Sequence, residues 1–418
     1  NCRNLLGFIG DVRPPDLIIQ DELHLLTGPL GTIAGLVETA LEVSWENINH
    51  KPKYVAATAT IRGAERDAML MYGRTMNVFP PPVATASDNF FAQLSDDENA
   101  GRKHVAIMGP PGAARTMFAQ PTASFLQRFK QLREENNTVA DEIFDPYFTV
   151  VGYFNSLREL GGAQNLLPDR VAREFISRRF APLGGVGARE VASIKELTSR
   201  KSSQDLKNIK ASLTRSIGHD PVDVVCTTNM FQVGIDIGRL GAMIIVGQPK
   251  SNSEYIQSSG RVGRQHPGVV ISLLRSTYPR DQSHYENFRE FHQEVYAHVD
   301  LTSTTPFSQR SLDRGMASAI AIMLRLSEDS FSQNFDLQTI WQSQQRRAQA
   351  LRLVELFKRK LESRESHEYV ESATEIVQEA LNCVSRKFTQ LMTFLRMCND
   401  QGLSCLLYTS DAADDSLR

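Results

Sequence analysis

Four short apolar runs in the middle of the chain most constrain what it can fold into: Thr149-Val-Val-Gly-Tyr-Phe154, Val222-Asp-Val-Val-Cys226, Ala242-Met-Ile-Ile-Val246 and Gly268-Val-Val-Ile-Ser-Leu273. Each is short, rich in β-branched residues and nearly continuous in its apolar character, the pattern of a strand buried on both faces. Helical stretches separate them. Strands that alternate with helices cover both faces of a parallel sheet, which makes a doubly wound α/β layer. The start of the chain repeats the pattern. Leu17-Ile-Ile19 and Lys53-Tyr-Val-Ala-Ala57 read as buried strands, and Thr27–Glu42 between them carries Leu30, Ile33, Ala34, Val37 and Leu41 at helical spacing.

These patterns predict an α/β unit over residues 1–83, closed by Pro80-Pro-Pro82, and a linker or insertion over 84–148 that includes the polar stretch Ser87–Lys103. A second α/β unit is expected over 149–275 and a mainly helical accessory region over 276–404. In that last region Ile376, Ala380, Val384, Phe388, Leu391 and Leu395 form one apolar stripe. Residues 405–418, beginning Cys405-Leu-Leu-Tyr-Thr-Ser-Asp-Ala-Ala-Asp414, look like the translation of a DNA-library adaptor. With a first residue that is not methionine, they lead to the expectation of a fragment.

The charge balance narrows the partners. Forty-six basic and 48 acidic residues leave the chain near neutral, so a nucleic-acid surface has to be local. The cysteines (Cys2, Cys226, Cys383, Cys398 and Cys405) form no C-x-x-C pair. That spacing speaks against a zinc site or a disulfide framework and leads to the expectation of a cytoplasmic protein. The apolar runs are too short to cross a bilayer, so no membrane partner is expected.

The residues that can carry chemistry cluster at the ends of the strands. Asp21 and Glu22 directly follow Leu17–Ile19, where a magnesium–phosphate complex sits in an open α/β sheet. Two adjacent acids can divide the labour, one holding Mg²⁺ and the other polarising an attacking water. A solvated acidic turn is the plain alternative. Thr58-Ala-Thr60 ends the next strand, where hydroxyls can act either across a cleft or as a simple helix cap. The loop Thr227–Asp236 joins two strands, and Gly234 permits it to turn tightly. Gln257-Ser-Ser-Gly-Arg-Val-Gly-Arg264 sets two arginines three residues apart on a glycine-relieved turn, and a planar, permanently charged guanidinium suits a transferring phosphate.

In this order, Asp21-Glu22-Leu23-His24, Thr58-Ala-Thr60, Gly234-Ile-Asp236 and Gln257–Arg264 resemble the motifs of superfamily-two helicases of the DExH type. The resemblance covers about residues 12–275 and implies two RecA-like doubly wound parallel-sheet domains, the first truncated, followed by the helical region. It implies ATP and Mg²⁺ as cofactors, with the ATP held between the two domains. Asp21 would bind the metal and Glu22 would act as base. Arg261 and Arg264 would be catalytic arginine fingers. His24, Gly234, Asp236 and Gln257 would line the nucleotide, and Thr58 and Thr60 would couple hydrolysis to movement. Thr228, Ser199 and Asn155 would touch single- or double-stranded nucleic acid, DNA favoured, aided by the basic cluster Arg200, Lys201, Lys207 and Lys210. Ser258 stands where the DEAD-box branch has arginine, which argues against that branch.

The whole arrangement also resembles the large helicase subunit of the bacterial DISARM anti-phage systems, with protein partners docking on the helical region. No G-x-x-x-x-G-K-[ST] string occurs. Gly109-Pro-Pro-Gly-Ala-Ala-Arg-Thr116 comes near it but has Ala114 and Arg115 in place of the glycine and lysine, so the phosphate loop is expected upstream and this chain alone is expected to be inactive. The other classes left open are a non-hydrolysing nucleic-acid-binding or scaffold protein on a degenerate helicase fold, and a nucleotide switch built on residues 109–116.

Overall fold

The computed structural model describes residues 14–26, 28–58, 64–79, 101–110, 117–231, 236–299, 304–327, 340–341, 343–362 and 373–400. The chain divides into two compact units, Pro82–Asp300 and a unit made from Asn1–Pro81 with Leu301–Arg418.

The unit Pro82–Asp300 is built on six parallel strands: β3 (Arg102–Gly109), β4 (Val150–Phe154), β5 (Ile194–Leu197), β6 (Val224–Thr227), β7 (Ala242–Val246) and β8 (Gly268–Arg275), in the spatial order β3-β8-β7-β4-β6-β5. Strands β4, β6 and β7 are buried along their whole length, as their unbroken apolar runs require. Successive side chains of one strand feed opposite cores. Phe154, Val224 and Ile244 pack with Phe118, Leu126 and Leu160 on one face, while Val151, Tyr153, Val225 and Ile245 pack with Phe231, Leu240 and Tyr255 on the other. This two-sided burial is the doubly wound architecture. A cavity-forming change such as Phe154→Ala would cost about 3–5 kcal/mol.

Residues 84–148 differ from the expected linker. Arg102–Gly109 is an edge strand paired with β8 from Arg102↔Gly268 to Gly109↔Arg275, and the helices Ala119–Glu135 and Asp141–Phe148 follow it. An edge strand exposes alternate side chains to water, so its sequence reads as polar. Strand β5 was also not foreseen.

In the other unit, β1 (Leu17–Gln20) and β2 (Lys53–Ala56) pair in parallel. The expected burial of β1 is not observed. Two strands leave their faces open among the described residues, and Ile19 is 71% exposed. The helix Gly28–Asn47 also turns a different face inward from the one its large apolar residues suggest. Leu30 and Ile33 are exposed, whereas Gly31, Gly35, Leu36, Ala40 and Val43 are buried. Close approach decides this: a Cβ on Gly35 would lie 2.8 Å from Cβ of Pro306.

The region 276–404 is divided between the two units and does not form one accessory body. The helices Pro279–Glu286 and Phe288–Gln293 fall within Pro82–Asp300, while Gln309–Ser327, Gln344–Glu362 and Ala373–Asp400 share one core with Gly28–Asn47. The predicted stripe supplies Val384, Phe388, Leu391 and Leu395 to that core, so these residues face inward. Ser44 Oγ donates to the Met323 carbonyl at 3.2 Å. The buried Glu42 carboxylate is paired with Arg74 at 2.6 Å and Lys360 at 3.4 Å, the compensation that a buried charge requires. No helix among the described residues is long and apolar enough to cross a membrane.

Candidate functional site

In the first unit, Asp21 and Glu22 follow the carboxyl end of β1, and Thr58 lies just beyond the carboxyl end of β2. The two strand ends are stitched together: Ala57 N–H donates to the Gln20 carbonyl at 2.8 Å and Leu23 N–H to the Ala57 carbonyl at 3.0 Å. Glu22 adopts a left-handed conformation, with φ 53° and ψ 48°, and its N–H donates to Asp21 Oδ1 at 2.9 Å. For a non-glycine residue that conformation costs on the order of 1 kcal/mol, and it turns the chain sharply at the acid.

His24 joins the acidic turn to the threonine segment. Its Nδ1 lies 3.1 Å from Thr58 Oγ1 and 3.3 Å from Glu22 Oε2, with the imidazole largely buried. Three residues from two separate motifs therefore meet around one ring. With its proton on Nδ1 the ring donates toward these oxygens, and with the proton on Nε2 it accepts from the Thr58 hydroxyl. Thr60 lies outside the described residues.

No cluster of three or more potential metal ligands occurs among the described residues. Asp21 is an exposed carboxylate at a strand end. That donor set fits Mg²⁺, which keeps several waters and binds through one or two carboxylates together with substrate phosphates.

In the second unit the expected residues divide between the two ends of the parallel sheet. Asn155, Ser199 and Thr228 lie just past the carboxyl ends of β4, β5 and β6. Asn155 donates its amide hydrogens to the Val246 and Gln248 carbonyls, both at 3.2 Å, and thereby ties β4 to the end of β7. Its Oδ1 is buried and makes no hydrogen bond among the described residues. Ser199 is exposed, and Thr228 is buried with Oγ1 3.4 Å from Asn229 Oδ1. In the neighbouring basic cluster, Lys201 pairs with Glu196 at 3.7 Å. The chain crosses from β6 to the far side of β4 through the segment after Thr228, the topological switch at which open α/β sheets form a crevice.

Asp236 and the two arginines lie at the opposite, amino end of β7 and β8. The helix Asn252–Ser259 is started by Ser251, whose side chain caps the Glu254 N–H, and it stops at Gly260. Gln257 sits in its last turn. Ser258 is completely buried, its Oγ bonded to the Glu254 carbonyl at 2.7 Å, which leaves no room for the arginine of the DEAD-box pattern. Val262 plugs the core, and the Gly263 N–H donates to the Leu240 carbonyl at 2.8 Å. The turn then reverses at Gly263 with φ +66°, where a Cβ would lie 2.6 Å from the Gly268 Cα.

Arg264 Nη1 reaches Asp236 Oδ1 at 2.5 Å, and its Nε donates to the Gly260 carbonyl at 3.2 Å. Two sequence-distant motifs are thereby in direct contact. Gly234 lies outside the described residues.

Two further arginines hold this end of the sheet, and neither stood out in the sequence. Arg239 anchors the loop after Asp236 through Asp145 at 2.8 Å and through the Thr149 hydroxyl and Leu213 carbonyl. Arg102 donates to the carbonyls of Val262 and Gly260. On the helix Asn252–Ser259, the Tyr255 hydroxyl lies 2.9 Å from His104 Nδ1 and 2.8 Å from His292 Nε2. Burial, with the charges of His292 and Arg102, pushes His104 down to about 4. The signal for these partners was the run Val105-Ala-Ile-Met108, whose preceding residues are polar.

The helicase conserved C-terminal domain family matches residues 187–266, the segment that carries β5, β6, β7 and the arginine turn. Together with the ordered motifs and the DISARM relative below, this places the chain among the superfamily-two helicases. The chain is similar to the DISARM protein DrmA of Bacillus paralicheniformis, with 41% identity over 349 residues, 81% of this chain and 31% of that protein. It is also similar to the uncharacterized ATP-dependent helicase YprA of Bacillus subtilis, at 22% identity over 63% of this chain and 30% of that protein. The ATP-dependent helicase HRQ1 of Saccharomyces cerevisiae matches at 25% identity over 64% of this chain and 22% of that protein. The chain thus spans less than a third of the length of each of these relatives.

Proposed function

We propose that this chain is the part of an ATP-driven DNA translocase or helicase that supplies the hydrolytic acid and the arginine turn. The observation that carries the reading is the contact of Arg264 with Asp236 at one end of a sheet whose other end bears Asn155, Ser199 and Thr228. On this reading, phosphate-sensing groups and strand-binding groups occupy the two ends of one sheet.

In hydrolysis, water attacks the γ-phosphorus and the bond to the β-phosphate oxygen breaks. Glu22 accepts the proton of the water, and Arg261 and Arg264 neutralise the charge that spreads over the phosphoryl oxygens. Asp21 would hold Mg²⁺, which supplies charge neutralisation on the phosphates when bound. Gln257, Asp236, His24 and Gly234 orient the nucleotide. The His24 bridge passes changes at Glu22 to Thr58, and Thr60 shares the coupling role. Thr228, Ser199 and Asn155 contact the phosphodiester backbone without reading bases. Turnover depends on closure of the two helicase domains, which gates hydrolysis. Residues 1–418 alone, which contain no G-x-x-x-x-G-K-[ST] string, turn over no ATP. The similarity to a DISARM protein supports a place in phage defence.

The test is ATP turnover by the full-length protein containing this chain, with single-stranded DNA and RNA of the same base sequence. Stimulation is expected, and stronger with DNA. Equal stimulation by both would remove the DNA preference, and none by either would contradict the motor reading.

A further inference from the structure

Strand β3 starts at Arg102, and its register with β8 sets Arg102 opposite Gly268, directly after the arginine turn. From there its Nε donates to the Val262 carbonyl at 2.7 Å and its Nη2 to the Gly260 carbonyl at 3.3 Å. The Gly260 carbonyl also accepts Arg264 Nε at 3.2 Å, so one oxygen fastens both guanidinium groups. The approach is made through glycine: a Cβ on Gly263 or on Gly268 would each lie 3.2 Å from Arg102 Cγ. Desolvation lowers the Arg102 pKa, Tyr296 opposes that shift and Arg264 adds to it, as expected of two cations held close together. The whole contact comes from a strand outside the residues 187–266 that match the helicase domain family.

We propose that Arg102 is a positioning residue for hydrolysis, a brace that fixes the backbone of the arginine turn so that Arg261 and Arg264 are presented in one geometry. The proposal rests on the reading of those two arginines as the phosphate-stabilising groups. Hydrogen bonds from an ionised donor are the strong class, and two of them grip the carbonyls on either side of Arg261, adding to the Gly263 N–H bond to the Leu240 carbonyl that also holds the turn. Without the brace the Val262 carbonyl loses its charged donor and the Gly260 carbonyl keeps only Arg264, the turn relaxes, and Arg264 shifts relative to Asp236. A displacement near 1 Å at a catalytic group costs on the order of 100-fold in rate.

The experiment uses the full-length protein with R102A, R102K and, as a control on an exposed residue of the same strand, K103A. It measures kcat and KM for ATP at saturating nucleic acid, the melting midpoint, and hydrogen exchange at the Gly263 N–H. R102A should lower kcat about 10- to 100-fold with KM within about twofold and the melting midpoint lowered by only a few degrees. Exchange at Gly263 should quicken, R102K should recover part of the rate, and K103A should match wild type. Wild-type kcat in R102A, or a loss that tracks unfolding or a raised KM, would overturn the proposal. If the wild-type protein hydrolyses no ATP, the hydrolase reading fails by itself. The exchange arm still decides the brace, because unchanged exchange at Gly263 in R102A refutes it.

Discussion

Replacing Arg264 by alanine should separate catalysis from stability. Its partners are Asp236 Oδ1 at 2.5 Å and the Gly260 carbonyl at 3.2 Å. The Asp236 side chain is 71% exposed and that of Arg264 34%, so solvent screens the ion pair heavily. An exposed pair contributes about 0.2–1 kcal/mol, and one hydrogen bond at a surface about 1 kcal/mol or less. The total is small beside a domain stability of about 5–15 kcal/mol. An arginine finger on a transferring phosphoryl group, by contrast, is worth on the order of 10³-fold or more in kcat, about 4 kcal/mol of barrier. Arg264→Ala should therefore melt within a few degrees of wild type and lose at least three orders of magnitude in nucleic-acid-stimulated turnover. Steady-state ATPase kinetics and thermal denaturation of the same preparation measure both. A kcat loss below about tenfold with an intact melt would make Arg264 a structural residue.

Further outcomes follow from the same geometry. Gly263→Ala forces a side chain to φ +66° and within 2.6 Å of the Gly268 Cα. It should destabilise the protein by about 2 kcal/mol or more in urea denaturation, and an unchanged midpoint would contradict the tight turn. Acidification should act through His104. The folded imidazole protonates at about 4, held there by burial and by the nearby charges of His292 and Arg102, whereas an unfolded histidine does so near 6.5. Between these values the unfolded state binds more protons, so stability falls as pH drops from about 6.5 toward 4. His104→Gln should flatten part of that slope in melting midpoints measured against pH, and identical slopes for the two proteins would refute the assignment.

How much was legible in the sequence follows from what each segment touches. Strands β4, β6, β7 and β8 were found because burial on both faces writes an apolar run directly into the residues. The order of the acidic, threonine, aspartate and arginine motifs was enough for the family, and the Arg264–Asp236 contact joins two motifs that the sequence could only set in order. Strand β3 was missed because an edge strand that begins Arg102-Lys-His resembles a polar linker. The brace it carries grips main-chain carbonyls, which leave no side-chain pattern to read. The inward face of Gly28–Asn47 escaped for a different reason. It is chosen by close contact with Pro306 and the helix Gln309–Ser327, far away in sequence, and small residues carry no hydrophobic signal. Ser258 illustrates the converse case: a departure from one branch of the family turned out to be a fully buried serine bonded to its own helix.

The proposed hydrolysis turns on Glu22, held in its left-handed turn beside His24 and Thr58, as the base that activates the attacking water. The most direct measurement is single-turnover hydrolysis by the full-length Glu22→Gln protein, with ATP affinity determined on the same sample. Hydrolysis should fall by about 10²–10⁴-fold while ATP affinity stays close to wild type. Turnover at the wild-type rate would contradict the claim.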